Sequence, residues 1–140
     1  MRSLPDPGPG PVDDRGEPDP ALVQALLADP DEQLVESLWT VRVLVPVEAV
    51  GEESTGAEMA VPGLIGADGR IALPVFSGYA QLRAWREQAR PMPMPGRRAV
   101  VAALAEGYAA MVIDVAGPVQ RELPASLLRL AARRLAATDC

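Results

Sequence analysis

The sequence of 140 residues contains no histidine, no lysine and a single cysteine, Cys140. Without histidine, one chain cannot form a Ser-His-Asp triad, a Cys/His dyad or a zinc site built from cysteine and histidine. A single cysteine also excludes a disulfide within the chain. Because these common catalytic and metal-binding side chains are missing, we expect a protein that is not an enzyme and that carries no cofactor and no metal.

Long hydrophobic runs are missing as well. No stretch approaches the roughly 18 apolar residues of a membrane span, and residues 1–20 lack the apolar core of a signal peptide. Arginine supplies all 13 basic side chains, and 19 acidic side chains give a net charge of −6, which argues against a mainly electrostatic nucleic-acid binder. We therefore expect a cytoplasmic protein that engages neither a membrane nor nucleic acid.

Composition divides the chain into two parts. Residues 1–20 hold six prolines, three glycines and five acidic residues, too little apolar surface to offset the entropy of ordering, and we predict a disordered acidic tail. Residues 21–140 form the predicted domain. The chain is 49% hydrophobic, which is enough to fill one ordinary core.

Hydrophobic periodicity predicts both helices and strands in this domain. Valines at every second position mark a strand over residues 40–47, and Asp68-Gly69 supplies the positive-φ turn of a hairpin between residues 59–65 and 70–76. Helices are predicted to begin near Pro20, Pro30, Ser77, Gly96 and Pro124, and further extended segments near 111–115 and 119–123. The predicted fold is α/β of the α+β type, with a single-layer mixed sheet of about four or five strands, a central hairpin and about five flanking helices.

Prolines restrict several of these strands. Pro62-Gly63 and Pro74 predict a bulge or a sheet edge in the two hairpin strands, because proline cannot donate to a β-ladder. Proline and methionine alternate over residues 91–95, and this segment must be extended because proline fixes its own φ and disfavours helix at the preceding residue.

Several motifs are typical of one bacterial family. They are Gly66-Ala67-Asp68-Gly69-Arg70, the adjoining residues 57–61 and 72–77, Leu82-Arg83-Ala84-Trp85, residues 44–47 and 90–94, and residues 114–118. Together they resemble the SseB N-terminal domain family, most closely its actinobacterial members, over roughly residues 21–135. The resemblance implies a small mixed α/β cytoplasmic domain, and it transfers no catalytic residue.

Two groups of arginines are candidates for a binding site. Trp85 lies among Arg83, Arg86 and Arg90, and arginine beside an aromatic ring can hold an anion or a base. The structural alternative is that Trp85 anchors its helix to the sheet. Arg97 and Arg98 follow Gly96 at a predicted helix start, where backbone N–H groups attract anions, although cations there oppose the helix dipole.

Asp114 and Ser77 are the remaining candidates for chemistry. Asp114 follows an apolar strand and is either a general base beside a second carboxylate, such as Glu58 or Glu122, or a strand-end residue that accepts from backbone N–H groups of residues 115–118. Ser77 is predicted to cap a helix, since no histidine is present to deprotonate it.

These observations lead to three functional hypotheses. The first is a non-catalytic binding or regulatory module that engages a protein partner through the sheet edge at Pro62-Gly63 or a surface containing Trp85 and Arg97. The second is a sensor or weak enzyme for a small anionic metabolite near Arg97, Arg98 and Asp114. The third is self-association through the hairpin edge.

Overall fold

A computed structural model describes residues 15–50 and 58–138. Residues 1–14 of the predicted tail lie outside this part, whereas residues 15–19 contact the domain: the Gly16 carbonyl accepts from the Tyr79 N–H at 2.7 Å. The described residues form five helices and seven strands. In chain order they are α1 (Pro20–Ala28), α2 (Asp31–Thr40), β1 (Arg42–Val50), β2 (Glu58–Ala60), β3 (Leu64–Ile65), β4 (Ile71–Val75), α3 (Tyr79–Trp85), β5 (Arg90–Pro95), α4 (Gly96–Ala105), β6 (Ala110–Ile113), β7 (Arg121–Pro124) and α5 (Ala125–Thr138).

The helix boundaries follow local sequence signals. Asp19 caps α1 by accepting from the Ala21 N–H at 2.8 Å, with Pro20 at the first helical position. Gly107, at φ +77°, ends the helical region after α4, as its sequence position predicted. No helix in residues 15–50 and 58–138 is long and apolar enough to span a membrane.

The first sheet has the strand order β2-β1-β5, and both neighbours run antiparallel to β1. The proline-methionine segment predicted only as extended is therefore a full edge strand. Leu44, opposite Pro93, directs both its N–H and its carbonyl to Phe76 at 2.8 Å, so the Leu44–Pro93 pair is not hydrogen-bonded. Hydrogen-bonded and non-hydrogen-bonded pairs alternate along an antiparallel ladder, so the nitrogens of Pro91, Pro93 and Pro95 all point away from β1.

The second sheet has the order β3-β4-β6-β7, with β4 and β6 parallel and the other pairs antiparallel. The hairpin predicted around Asp68-Gly69 is confirmed as β3-β4, with Gly69 at φ +81°. Pro74 was predicted to mark a bulge or an edge, yet it lies buried inside β4. The Val75 carbonyl accepts from the Asp114 N–H on the β6 side of β4. The backbone groups of the preceding residue point to the opposite side, so the Pro74 nitrogen faces away from β6, beyond the residues of β4 that pair with β3.

The α+β class and the five helices are confirmed, but the strands form two sheets rather than one. Pro62-Gly63 is the reason: the segment predicted as one strand over residues 59–65 divides there, so its first part pairs with β1 and its second part with β4. The Leu44–Phe76 bridge joins the two sheets. One apolar core then spans both sheets and helices α1, α2, α4 and α5.

Candidate functional site

The structure separates the predicted site residues. Arg97 and Arg98 lie side by side in the first turn of α4, both exposed, and neither guanidinium has a partner within the described residues. Trp85 is half-buried at the end of α3, with its ring 5.4 Å from that of Phe76 and the Arg86 guanidinium 4.4 Å above it. The contact between the rings of Trp85 and Phe76 agrees with the interpretation that Trp85 anchors its helix to the sheet.

Strand β1 lies between these two places. Leu44 packs with Phe76 in the cluster that Trp85 covers, whereas its neighbours Val43 and Val45 belong to the core that contains the buried face of α4. Adjacent residues of a strand point to opposite faces. Trp85 and the buried face of α4, the helix that carries Arg97, therefore lie against opposite faces of β1.

Gly96 has a packing role at the start of α4. A Cβ atom built on Gly96 would lie 1.7 Å from the Leu38 carbonyl oxygen at the end of α2. Glycine is thus required for the close approach of these two helices. This approach accounts for the glycine that precedes the two arginines without any bound anion.

Asp114 and Ser77 form a buried pair at the carboxyl ends of the parallel strands β6 and β4. The Ser77 N–H donates to Asp114 Oδ1 at 2.8 Å, and the Ser77 hydroxyl donates to Oδ2 at 2.6 Å. Burial raises the pKa of Asp114, and the two hydrogen bonds from Ser77 partly oppose this rise. Asp114 also adopts a left-handed conformation, at φ 55°.

These contacts correct two local predictions. The Asp114 carboxylate binds Ser77 rather than the N–H groups of its own turn, where Gly117 donates instead to the Asp114 carbonyl. Gly78, not Ser77, is the N-cap of α3, because the Ser77 hydroxyl is engaged by Asp114. Two residues were suggested as a second carboxylate beside Asp114. Glu122 is exposed on β7, and the side chain of Glu58 is not among those that the structure describes. The Ser77–Asp114 pair therefore joins two strand ends.

An apolar cleft of about 310 Å³ opens between α4, the two sheets and the segment that connects β2 to β3. This volume is at the lower end of the range for small binding sites. Seven apolar side chains line it: Val45, Val61, Leu73, Met92, Met94, Ala99 and Ala102. The two methionines come from β5, where flexible thioether side chains can adapt to ligands of different shape.

Glu106 and Tyr108 supply the polar atoms of this cleft. Glu106 is exposed at the end of α4, and Tyr108 is half-buried. The pKa of the Tyr108 hydroxyl is raised first by burial and second by the negative charge of Glu106. At neutral pH the cleft therefore carries one negative charge, at Glu106, and a neutral hydroxyl group.

A second depression continues from the cleft onto the hairpin. A shallower depression of about 390 Å³ shares Val61, Glu106 and Tyr108 with the cleft and extends over Gly63, Ile65 and Ile71. Ile65 is 76% exposed and Ile71 is 49% exposed. We call the two depressions together the hairpin cleft.

Comparison with known proteins identifies the domain. The family model of the SseB protein N-terminal domain matches residues 19–130. The chain belongs to this family. No curated protein and no solved structure matches the chain.

The SseB N-terminal domain match includes every residue that lines the hairpin cleft. Sequence reasoning pointed to its rim at Pro62-Gly63 but not to its lining. The alternation of Met92 and Met94 with proline was the available signal, since residues two apart lie on one face of a strand. No sequence pattern predicted Glu106 or Tyr108 as site residues, because only the position of the end of α4 in the fold brings them to the cleft.

Proposed function

We propose that this SseB N-terminal domain is a non-catalytic cytoplasmic binding module whose hairpin cleft receives an apolar segment of a partner protein. The observation that carries the proposal is the continuity of the cleft with exposed Ile65 and Ile71. Exposed apolar residues beside a cleft and rimmed by polar groups can mark a site of protein–protein interaction. Its position at the edge predicted from Pro62-Gly63 agrees with the leading sequence hypothesis.

Charge narrows the choice of partner. Glu106 is the one charged residue among those that line the hairpin cleft in the described part of the chain. The whole chain is also acidic, with a net charge of −6. A partner segment with an arginine or lysine beside its apolar residues would match both features, and complementary charges raise association rates and select partners.

The non-catalytic part of the proposal is supported by the state of the polar core. Within the described residues, Ser77 and Asp114 are the buried residues of polar or charged type, and they bind each other. Ser77 is 2% exposed and Asp114 is 5% exposed, so this pair is shielded from a substrate, and its position suits a contact that holds two strand ends together.

Selection of random short peptides displayed on phage tests this proposal. Ala102→Phe places a ring in the cleft from an exposed helix position, whereas Val101→Phe adds the same ring one residue away, outside the lining. We expect selected peptides to combine apolar residues with arginine or lysine and to bind wild type and Val101→Phe at least about tenfold more tightly than Ala102→Phe. Peptides that bind Ala102→Phe as well as wild type would overturn the proposal.

The alternative function is a sensor or weak enzyme for a small anionic metabolite at Arg97 and Arg98. It is favoured by the exposure of both guanidinium groups and by their lack of partners among the described residues. A thermal-shift measurement with inorganic phosphate and with dicarboxylates tests it. Stabilisation of wild type that disappears in Arg97→Ala/Arg98→Ala supports the anion site, and equal melting temperatures with and without each anion exclude it.

A further inference from the structure

The segment that precedes helix α1 is bound by a surface distinct from the hairpin cleft. Residues 16–18 cross this surface, which consists of Arg42 at the start of β1 and of residues 77–79, which follow β4. Neither part shares a residue with the lining of the hairpin cleft. We call Arg42 and residues 77–79 the Arg42 site.

Two consecutive backbone carbonyls of the segment accept hydrogen bonds from the Arg42 site. The Tyr79 N–H donates to the Gly16 carbonyl at 2.7 Å. The Arg42 guanidinium donates to the Glu17 carbonyl through Nη2 and to the Ser77 carbonyl through Nη1, the latter at 3.0 Å. Main-chain hydrogen bonds of this kind supply affinity when a protein binds an extended peptide, and close side-chain contacts supply specificity.

Glycines on both sides bring the segment and the Arg42 site into close contact. Gly16 adopts φ +81°, and a Cβ atom built on it would lie 2.8 Å from the Tyr79 Cβ. On the other side, a Cβ atom built on Gly78 would lie 2.8 Å from the Pro18 Cδ and 2.9 Å from the Gly16 carbonyl oxygen. These separations are too short for real Cβ atoms, so the fit between segment and site depends on both glycines.

These contacts define which segments the Arg42 site accepts. The first position requires glycine, because its φ is positive and it lies close to Tyr79. The second residue, Glu17, is exposed and contributes its carbonyl, so its side chain is not selected. The third, Pro18, packs against Gly78, and proline fixes its own φ before binding, which lowers the entropy cost. The Arg42 site therefore fits an extended Gly-x-Pro segment.

The Arg42 site lies within the SseB N-terminal domain match, which begins at residue 19 and does not include residues 16–18. We infer that the Arg42 site is a binding site for extended Gly-x-Pro segments and that residues 16–18 of the same chain occupy it. A partner protein with such a segment binds by displacing the chain's own residues. Because these residues adjoin α1, they compete at an effective concentration of about millimolar, and the occupied site binds the partner weakly.

Titration of the full chain with a short peptide tests this inference by NMR. The peptide carries residues 15–20 with blocked ends, and the isotope-labelled protein carries Gly16→Val/Pro18→Ser, which removes the fit of its own segment. We expect saturable shifts of the Gly78 and Tyr79 amide signals. Binding should be at least about tenfold tighter than binding by wild type, whose own segment competes with the peptide.

Two altered peptides test the specificity of the Arg42 site. The Glu17→Gln peptide changes the exposed position and should bind as well as the original peptide. The Gly16→Val peptide should cause no saturable shift, because a β-branched residue disfavours positive φ and would collide with Tyr79. Equal binding of the Gly16→Val and original peptides, no binding of the original peptide, or equal binding by wild type and the double variant would each overturn the inference.

Amide hydrogen exchange without peptide gives a second measurement. In the full chain, Gly16→Val should make the Tyr79 N–H exchange at least about tenfold faster, because its acceptor is displaced. Glu17→Val is the matched control, since it adds the same side chain at the neighbouring exposed position and should keep the wild-type rate. A Tyr79 rate that is the same in Gly16→Val and Glu17→Val would also overturn the inference. Circular dichroism of every variant checks that it is folded.

Discussion

At the residue scale, the Ser77–Asp114 contact is the main polar interaction of the core. It fixes the ends of two parallel strands that are 37 residues apart in sequence. The two hydrogen bonds from Ser77 offset the desolvation of Asp114 only in part, since the pKa of Asp114 remains raised. The left-handed backbone of Asp114 is also one that asparagine and aspartate adopt more readily than other non-glycine residues.

Two substitutions at Asp114 should have different effects. In Asp114→Asn, the amide oxygen can accept from the Ser77 N–H and the amide nitrogen can donate to the Ser77 hydroxyl, so we expect a change within about 1 kcal/mol at pH 7. Asp114→Ala leaves both Ser77 groups unpaired and should lower the free energy of unfolding by about 2–4 kcal/mol. Urea unfolding at pH 7 measures both. Equal losses in the two variants would show that hydrogen bonding by Asp114 is not the stabilising factor.

The pH dependence of the same pair follows from the raised pKa. The folded protein binds the Asp114 proton more tightly than the unfolded chain does, since the pKa of Asp114 is raised in the folded state from its ordinary value of 3.8. The stability that this proton contributes is therefore complete below pH 3.8 and is lost as the pH rises through the raised pKa of the folded state. Relative to Asp114→Asn, wild type should gain stability on acidification from neutral pH toward 3.8. Parallel stability curves of the two proteins across that range would contradict the raised pKa.

At the element scale, β5 shows how prolines can protect a sheet edge. Pro91 and Pro93 are exposed, and their nitrogens face the open side of the strand, where no N–H is available to pair with another chain. Meanwhile Arg90, Met92 and Met94 occupy the positions that pair with β1 by hydrogen bonds. The alternation therefore keeps the ladder on one side of β5 and blocks it on the other.

Replacing Pro91 and Pro93 by threonine should open this edge. Each substitution restores an outward N–H and raises β-propensity, so we expect faster aggregation on mild heating, measured by light scattering, with a loss of roughly 0.4–1 kcal/mol per site from the freer unfolded chain. Pro118→Thr, in an exposed turn, is the control. If the double variant aggregates no faster than the control, the edge is protected by something other than proline.

At the scale of the whole molecule, β1 connects two apolar clusters. Val43 and Val45 belong to the main core, and Leu44 belongs to the small cluster beneath Trp85. Each cluster contains or adjoins one of the two tryptophans, with Trp39 in the main core. Because β1 serves both clusters, we expect that neither can unfold while the other stays native.

Single-tryptophan variants test this cooperativity. Trp39→Phe leaves Trp85 as the reporter of the small cluster, and Trp85→Phe leaves Trp39 as the reporter of the main core. Trp39→Phe removes an indole N–H that has no partner in the described part of the chain, so no hydrogen bond is lost. In each variant, the fluorescence and far-UV circular dichroism midpoints in urea should coincide. A Trp85 signal that changes at lower urea than the dichroism would reveal an independently unfolding α3 region.

Much of the local structure and the family could be predicted from the sequence. The cap at Asp19, the turn at Asp68-Gly69 and the stop at Gly107 depend on a few neighbouring residues. Pro62-Gly63 was predicted as a bulge or an edge, whereas the structure divides the predicted strand there into two. The candidate site was predicted only at its rim. Its lining comes from β1, β4, β5 and α4, and no local pattern states which of these elements will be neighbours.

By itself, then, the sequence determined the cap at Asp19, the turn at Asp68-Gly69 and the stop at Gly107, because capping and turn chemistry act within a few residues. Only the tertiary structure decided that the strands divide into two sheets, that Asp114 binds Ser77, and that Trp85 and helix α4 lie on opposite faces of β1. The physical reason is that these outcomes depend on contacts between residues distant in sequence. Such contacts are selected by the burial of a shared core, which the order of residues along the chain does not display.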